Sequence, residues 1–513
     1  MAGSRLLKQS AIVSAGTMTS RILGLVRDVV MAALLGATNA ADAFYVAFKI
    51  PNFFRRLFAE GAFAQAFVPV LAEYKEEGGL AAVQQLVNRV FVTLGFSLFV
   101  VCALAFAAAP GITWLFASGF HQYPDKLALT TELIRITFPY LGFISLTAFA
   151  GGILNTYGRY AIPALTPVLL NLSLIGAAFW LTPYVPTPAH ALAWGVLMAG
   201  VTQLLFQVPF LRQLGLLPKP VWDWRHPGVV KILRLMAPAM LGVSVAQVNL
   251  LLDTVLASWL EAGSVAWLYY SDRLVELPLG VIGIAIATVV LPGLSADVAK
   301  KDDDAFRESL HWAVRMVLLL GVPAAVALAV LAVPILSTLF FYGAMTAHDV
   351  TRSAASLMAY SGGLVAFMLV KVLAPGFFSR QDMKTPVKIA LAALVANIVF
   401  NLILIWPLAH VGLALATTLS AWLNAGLLAA GLHRAGLLSV GGLMRHPRTL
   451  GVVGAALLMA MVLVWVMPDT AWWLAADLWL RLRALGLLIA LGGLAYGFGL
   501  VITGWRVRHL TAR

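Results

Sequence analysis

Long apolar segments recur along the whole chain of 513 residues, separated by short polar stretches or by stretches rich in Pro and Gly. Each holds roughly 20 or more mostly hydrophobic residues, the length with which an α-helix crosses a bilayer, whereas a membrane β-strand needs only about ten alternating residues. The pattern therefore predicts an all-α polytopic membrane protein with about fourteen transmembrane helices. Their predicted centres are residues 23, 57, 97, 142, 171, 201, 246, 280, 324, 365, 396, 422, 457 and 493.

Composition supports this class and excludes several others. The chain is 61% hydrophobic and 11% charged, against about 25% charged residues in an ordinary soluble domain. The single cysteine, Cys102, lies in an apolar run, so neither a disulfide nor a cysteine metal site is expected. We attribute the net charge of +13 to the loops rather than to nucleic-acid binding. The first residues have no continuous apolar core, so they are interpreted as the start of the first span and not as a cleaved signal peptide.

The distribution of Lys and Arg predicts the orientation. Alternate loops hold most of them, whereas the loops between, such as LLGATNAADAF and LTPYVPTPAHAL, hold almost none. By the positive-inside rule both termini are then cytoplasmic, which requires an even number of spans. Arg481 and Arg483, near the outer end of the last span, do not fit this distribution.

The chain also resembles itself weakly when it is shifted by about 223 residues. FVPVLAEY at 67–74 lies over VLPGLSAD at 290–297, and two short basic loops closed by Pro163 and Pro386 coincide. Chance recurrence of basic loops and prolines is the alternative. A duplication of six spans keeps the orientation, and parallel repeats of this kind place the substrate path between the two halves. The predicted division is an N-terminal lobe at 1–217 (spans 1 to 6), a C-terminal lobe at 218–440 (spans 7 to 12), and two additional helices at 441–513.

Charged residues inside the predicted spans point to a functional site. They are Arg21, Arg27 and Asp28 in the first span, Lys49, Arg55, Arg56 and Glu60 in the second, Asp253 in the seventh, and Asp272, Arg273 and Glu276 in the eighth. Each costs about 2.5 to 3.5 kcal/mol on insertion scales, so we expect them to face a hydrated cavity between the halves. The alternative is a set of structural pairs, such as Arg27 with Asp28.

The kind of cation indicates what the cavity binds. Arginine carries a planar donor fork that suits phosphate, so Arg21, Arg27, Arg55 and Arg273 are predicted to clamp a diphosphate. On an α-helical wheel Lys49, Arg56 and Glu60 share a face from which Arg55 is displaced, which favours Arg55 as a substrate contact and Arg56 with Glu60 as a pair. Acids and bases are comparable in number, so an anionic substrate does not follow from net charge alone.

Four strings then resemble a known family: SRILGLVRD, ADAFYVAFKIPNFFRRLFAEGAFAQAFVP, YYSDRLVELPLGVIGIAIATVVLP and KVLAPGFFSRQDMKTPVKIA. They are similar to the MurJ (MviN) lipid II flippases of the multidrug/oligosaccharidyl-lipid/polysaccharide exporter superfamily, from about residue 8 to the C-terminus. The resemblance implies two MATE-like six-helix lobes and two further helices that form a groove for the lipid tail.

The resemblance also implies an activity, which is transport and not catalysis. It implies that undecaprenyl-diphosphate-linked disaccharide pentapeptide moves from the cytoplasmic to the periplasmic leaflet of the bacterial inner membrane by alternating access. Lipid II, membrane lipids and the cell wall synthesis machinery are then the expected partners. The implied substrate-binding residues are Ser20, Arg21, Arg27, Lys49, Arg55 and Arg273. A gating and charge network is expected of Asp28, Asp42, Arg56, Glu60, Asp272 and Glu276, with Asp42 as an outer gate between the lobes.

The resemblance implies no cofactor. Coupling of transport to an ion is a separate expectation. Asn397 and Asn401 lie one helical turn apart, Thr417 follows in the next span, and Asp253 is the only acid in the seventh. Such oxygen ligands would suit a candidate Na⁺ site, and hydrogen bonding between helices is the alternative. A moving charged cavity would also respond to the membrane potential, by about 2.3 kcal/mol per charge per 100 mV.

Three other functions are open on the residues alone. A flippase of another polyprenyl-linked glycan and a multidrug or cation antiporter would share the fold, and the antiporter should have a more aromatic cavity with fewer arginines. A membrane glycosyl- or phosphotransferase should carry a carboxylate cluster that binds a metal. The acidic cluster KKDDDAF at 300–306 is interpreted as a solvated turn.

Overall fold

The computed structural model describes residues 2–506, except for the side chains of residues 2–14, 58–60, 241–246, 250, 284 and 443–445. Helices account for 86% of the structure, and the described residues form no strand. The predicted all-α class is confirmed.

The contacts divide the chain into two compact units, Met1–Ala266 and Trp267–Arg513. The helices that begin before residue 260 are α1 (Ala2–Leu35), α2 (Asn39–Phe54), α3 (Ala64–Ala107), α4 (Ala109–Phe116), α5 (Pro124–Thr137), α6 (Tyr140–Thr156), α7 (Ala161–Gly176), α8 (Pro188–Gln213) and α9 (Pro227–Ser258). Those that follow are α10 (Ser264–Pro278), α11 (Ile284–Ala299), α12 (Asp303–Val330), α13 (Ala332–Phe340), α14 (Ala347–Ser361), α15 (Leu364–Phe378), α16 (Lys384–Arg434), α17 (Val440–Arg445), α18 (Pro447–Val466), α19 (Thr470–Ala475) and α20 (Leu478–Ile502). The predicted boundaries at 217 and 440 stay predictions.

Ten helical stretches of the described residues are long and apolar enough to cross a membrane. Two of them contain a backbone break: Gly79 (φ 62°) lies within α3 and Ala409 (φ 48°) within α16. Each of these two stretches therefore joins two helices. The protein is a multi-pass membrane protein, and the number fourteen stays a prediction.

Left-handed backbone positions recur along the chain at a nearly constant spacing. Every residue of the described segment before 218 that has a positive φ has a counterpart 221 to 227 residues later. The pairs are Gly36 and Gly263, Gly79 and Lys301, Gly158 and Gln381, and Gly215 and Gly436. This recurrence of chain turns supports the duplication, while the two lobes themselves stay a prediction.

In the first unit, α3, α6 and the start of α9 share an aromatic and aliphatic core. The Phe67 ring lies 5.0 Å from the Phe63 ring and 5.1 Å from the Phe149 ring. Gly152 makes this approach possible, because a Cβ atom there would lie 3.2 Å from Phe67 Cδ1. The side chains buried here hold in place the helices that carry the charges described below.

In the second unit, α18 and α20 pack on each other through small residues. A Cβ on Gly499 would lie 2.8 Å from Ala455 Cα, so the two backbones approach closely, as is common between membrane helices. Their outer faces expose large apolar side chains, including Trp465 and Leu494. The assignment of this pair to a lipid-tail groove stays a prediction.

The surroundings of Arg481 explain why this residue departs from the distribution of Lys and Arg among the loops. It is buried at the start of α20, where its guanidinium donates to the carbonyl oxygens of Ser337 (3.0 Å) and Leu474 (3.3 Å) and lies 4.9 Å from the Phe341 ring. Backbone carbonyls surround this charge, so it packs α20 against α13 and carries no information on which side of the membrane the helix begins.

Candidate functional site

Arg27 and Asp28 of α1 form a buried network with Asn171 of α7. Arg27 Nη2 and Nε donate to Asp28 Oδ1 at 2.7 and 3.0 Å, and Nη1 donates to Asn171 Oδ1 at 3.0 Å. Asn171 Nδ2 donates in turn to the Ser20 carbonyl oxygen at 2.9 Å. Gly24 leaves room for the amide, which lies 3.8 Å from where its Cβ would be. The guanidinium of Arg27 is thus engaged in packing α1 against α7.

Arg21, on the same helix, is in a different state. Its side chain is half-buried, and within the part of the chain that the structure describes its guanidinium makes no hydrogen bond or ion pair. A guanidinium that donates to none of the described protein groups can donate its N–H groups to an anionic ligand. This distinguishes Arg21 from Arg27 six residues later.

The second predicted span changes its helix type where the charges begin. Arg55–Phe63, which includes Arg56 and Glu60, forms a π-helix that follows α2 directly. The α-helical wheel is therefore wrong beyond Arg55, because a π-helix bonds i to i+5 and rotates side chains differently. The side chain of Glu60 lies outside the described residues, so its pairing with Arg56 stays a prediction.

Pro51, four residues before the π-helix, accounts for part of this geometry. Proline has no N–H, so the carbonyl of Ala47 loses its helical partner. The Thr137 hydroxyl of α5 donates to this oxygen at 3.0 Å and restores the bond. A broken ladder is tolerated at membrane depth when a neighbouring helix satisfies the freed group.

The cations next to Pro51 contact polar side chains. Lys49 Nζ donates to Thr254 Oγ1 of α9 at 3.1 Å, and Arg55 Nε donates to Asn52 Oδ1 at 3.1 Å. Both side chains are half-buried. Thr254 directly follows Asp253, so Lys49 brings α2 to the acidic position of α9.

Asp42, at the first turn of α2, is buried, and its carboxylate accepts hydrogen bonds from three partners. Lys126 Nζ of α5 donates to its Oδ2 at 2.7 Å, as does Gly263 N at 2.8 Å, and Ala266 N donates to Oδ1 at 3.0 Å. Lys126 also lies 4.0 Å from the Phe120 ring. This carboxylate fastens α2 to α5 and to the last residues of the first unit.

In the second unit, Arg273 and Glu276 form an ion pair on α10. Arg273 Nη1 lies 2.6 Å from Glu276 Oε2, and its guanidinium carbon lies 4.9 Å from the Tyr269 ring. The two side chains are 29% and 44% exposed, against 9% and 5% for Arg27 and Asp28. The Arg273–Glu276 pair is therefore more accessible to solvent than the pair of Arg27 and Asp28. Asp272 is half-buried beside it.

The candidate Na⁺ residues lie in both units, with Asp253 in the first and the other three in the second. Asn397 and Asn401 are fully buried, and Asn401 Nδ2 donates to Asn397 Oδ1 at 2.9 Å. The Thr417 hydroxyl donates to the Leu413 carbonyl oxygen at 3.1 Å. Among the described residues, no three His, Cys, Asp or Glu side chains are grouped to hold a metal. The Na⁺ site therefore stays a prediction.

Sequence reasoning missed the partners Asn171, Lys126 and Thr254. Asn171 is a lone amide in the apolar run TPVLLNLSLIG, which is a usable signal, because a buried amide needs a partner. Lys126 follows Pro124 and Asp125 and looks like a loop charge, and Thr254 looks like an ordinary membrane threonine. Only the packing of helices distant in sequence identifies these two.

Comparisons with known proteins agree on one family. The family model "Lipid II flippase MurJ" matches residues 31–482. The "Probable lipid II flippase MurJ" of Vibrio cholerae is 47% identical over 99% of this chain and 98% of its own. The Haemophilus influenzae protein of that name is also 47% identical, over 97% and 100%. The "Lipid II flippase MurJ" of Burkholderia cenocepacia is 42% identical over 90% of each.

Solved structures agree as well. The structure "Lipid II flippase MurJ, inward closed conformation" superposes with a TM-score of 0.81 at 26% identity and covers 96% of this chain and 98% of its own. An inward-facing multidrug resistance MATE family transporter of the MOP superfamily superposes with a TM-score of 0.66, over 83% and 98%. The identity to the latter is 15%, so that likeness concerns the fold alone.

Proposed function

Because the chain belongs to the MurJ family of lipid II flippases, we propose that it moves lipid II across a bacterial cytoplasmic membrane by alternating access. The undecaprenyl-diphosphate-linked disaccharide pentapeptide would enter from the cytoplasmic leaflet and leave in the periplasmic leaflet, for cell wall synthesis. The Lys and Arg of the loops support the further proposal that both termini are cytoplasmic. The observation that carries this proposal is the guanidinium of Arg21, which has no hydrogen bond or ion pair with any residue that the structure describes.

The diphosphate is proposed to be clamped by arginines that differ in how readily they are released. Arg21 has no hydrogen bond or ion pair with any described residue, whereas Arg273 would have to exchange bonds that include its ion pair with Glu276. Arg55, Lys49 and Ser20 would then contact the headgroup. Arg27 is predicted to join the clamp only if its buried bonds to Asp28 and Asn171 rearrange. Only differential binding of substrate to the two states can bias the cycle.

Asp42 is proposed to act as the outer gate. Its contacts with Gly263 and Ala266 link a residue of the predicted N-terminal lobe to residues of the predicted C-terminal lobe. Opening on that side would require these bonds to break. The α18–α20 pair is assigned to the lipid tail, which stays in an apolar environment while the headgroup crosses.

Two linked measurements test the function. The intact chain is expected to restore growth of a cell depleted of its own flippase, and to move a fluorescent lipid II analogue in proteoliposomes. A multidrug dye and an undecaprenyl-diphosphate glycan of another repeat serve as competing substrates. Failure to move lipid II combined with transport of either competitor would replace the proposal with the corresponding alternative, and product formation without transport would favour a transferase.

Coupling to sodium is proposed from Asp253, Asn397, Asn401 and Thr417. We expect flipping in proteoliposomes to depend on a Na⁺ gradient and to lose that dependence in Asp253→Ala. Asp223→Ala, an acid of the loop before α9, is the control. Transport that is indifferent to sodium in the intact protein would remove the Na⁺ site and leave the membrane potential as the candidate energy source.

A further inference from the structure

A polar cavity of about 450 Å³ lies in the second unit and contains no residue of the proposed clamp, gate or Na⁺ site. It is lined by one face of α12, by the segment around α17 and by the residue that precedes α18. Asp304, Glu308, His311 and Arg315 of α12 recur at spacings of three to four residues, which places them on one side of that helix. The cavity therefore follows from a polar stripe at the start of a helix that is otherwise apolar.

Each of the two histidines of the cavity accepts a hydrogen bond on one ring nitrogen. His311 Nε2 accepts a hydrogen bond from Ser439 N at 3.0 Å, which leaves the ring proton on Nδ1. His446 Nδ1 accepts from Arg448 N at 3.2 Å, which leaves the proton on Nε2. Burial, and then the charges of Arg448 and Arg315, lower the pKa of His446, so both guanidinium groups lie close to this ring.

The cations at the cavity are arranged by depth. Arg307, at the exposed rim, is paired with Asp304 at 2.9 Å, and Glu308 is exposed beside them. Arg315 and Arg448 are half-buried, and neither guanidinium has a hydrogen bond or ion pair with any described residue. Arg315 lines the cavity, Arg448 lies close to it beside the lining residues, and Glu308 is the carboxylate that interacts with Arg315. Two guanidinium groups held near each other, next to two imidazole rings, form a set of groups suited to a phosphate.

We propose that this cavity binds the phosphate of an anionic phospholipid headgroup, with Arg315 and Arg448 as the principal ligands. Beyond the first turn of α18, Leu450, Val453 and Leu457 are exposed apolar side chains, which places the cavity where polar loops meet the membrane-facing surface. Basic pockets between membrane helices at this level suit lipid headgroups. The site is independent of lipid II transport, since it shares no residue with the proposed clamp.

The test measures lipid retained by the purified full-length protein, using native mass spectrometry with phosphatidylglycerol and with phosphatidylcholine. We expect the intact protein to retain phosphatidylglycerol preferentially, and Arg315→Gln/Arg448→Gln to lose that preference by roughly tenfold or more. Arg434→Gln, an exposed cation at the end of α16 that does not line the cavity, is the matched control and should retain it. Arg315→Lys/Arg448→Lys keeps the charge without the planar fork and should retain part of it.

Binding of inorganic phosphate distinguishes a phospholipid headgroup from soluble phosphate as the ligand of the cavity. If the double Gln variant loses binding of inorganic phosphate but keeps that of phosphatidylglycerol, the cavity is a site for soluble phosphate and the lipid assignment is overturned. Equal retention of phosphatidylglycerol by the intact protein and a folded double Gln variant would overturn the site altogether. Thermal unfolding of each variant identifies any loss that comes from misfolding, and the Lys variant then decides the question.

Discussion

Replacing Arg21 by glutamine is expected to lower lipid II flipping roughly 10- to 100-fold while the protein remains folded. A hydrogen bond to a charged group is worth about 1.5 to 3 kcal/mol, and each 1.4 kcal/mol is about a factor of ten. Because the Arg21 guanidinium has no bond to any described group, its loss removes nothing that the described structure uses for stability. The rate of flipping in proteoliposomes, with thermal unfolding measured alongside, provides the check.

Matched variants make the Arg21 result interpretable. Arg159→Gln removes a charge from an exposed loop and should transport like the intact protein. Arg27→Gln removes the buried bonds to Asp28 and Asn171, so it should lower stability as well as transport. Normal flipping by Arg21→Gln would contradict the clamp, and an unstable Arg21→Gln would mean that the residue has a structural role.

Replacing Asp42 by alanine is expected to cost about 3 to 5 kcal/mol of stability, the usual penalty for leaving one partner of a buried ion pair uncompensated. Lys126 is only 4% exposed and would lose its carboxylate, while Gly263 N and Ala266 N would lose their acceptor. Unfolding of the purified protein, followed by intrinsic fluorescence in detergent, measures the loss. Asp125→Ala, an exposed neighbour of Lys126, is expected to change little.

A double-mutant cycle separates the charge from the other bonds of Asp42. Lys126→Met in the Asp42→Ala background removes the stranded cation and should recover a large part of the stability. The part that is not recovered reports the two backbone N–H groups. If the double variant is no more stable than Asp42→Ala, the Lys126 charge is not the source of the penalty. Flipping by a stable double variant would also show how far transport depends on the proposed gate.

The sequence was sufficient to predict the features that depend on composition and on the recurrence of apolar residues along the chain. Long apolar segments predicted the helical membrane fold, and the charges on the first, second and eighth spans were identified because each is costly in a bilayer. The sequence could not predict which charged side chains form hydrogen bonds or ion pairs within the protein. Arg21 and Arg27 look equivalent on the chain, and they differ only because Asn171 of a distant helix reaches Arg27.

Local changes of backbone conformation were the second feature that could not be predicted from the sequence. The α-helical wheel failed at Arg55 because a π-helix begins there, and no residue between 55 and 63 indicates that change by type alone. Pro51 did predict a disturbance, but its repair depends on Thr137, which lies far away in sequence. Periodicity describes a regular helix. The candidate site lies where the helix is irregular and where a neighbouring helix supplies the hydrogen bond that the irregularity removes.

The recurring left-handed turns have a consequence for how the ancestry of this chain can be traced. In the predicted second repeat, Lys301 and Gln381 stand where the predicted first repeat has Gly79 and Gly158, and all four residues have a positive φ. A side chain in that conformation costs roughly 1 to 2 kcal/mol, which glycine avoids. The two predicted repeats thus agree in the sign of φ at positions where their residues differ. We therefore expect the predicted duplication to be traced more readily through torsion angles than through side chains.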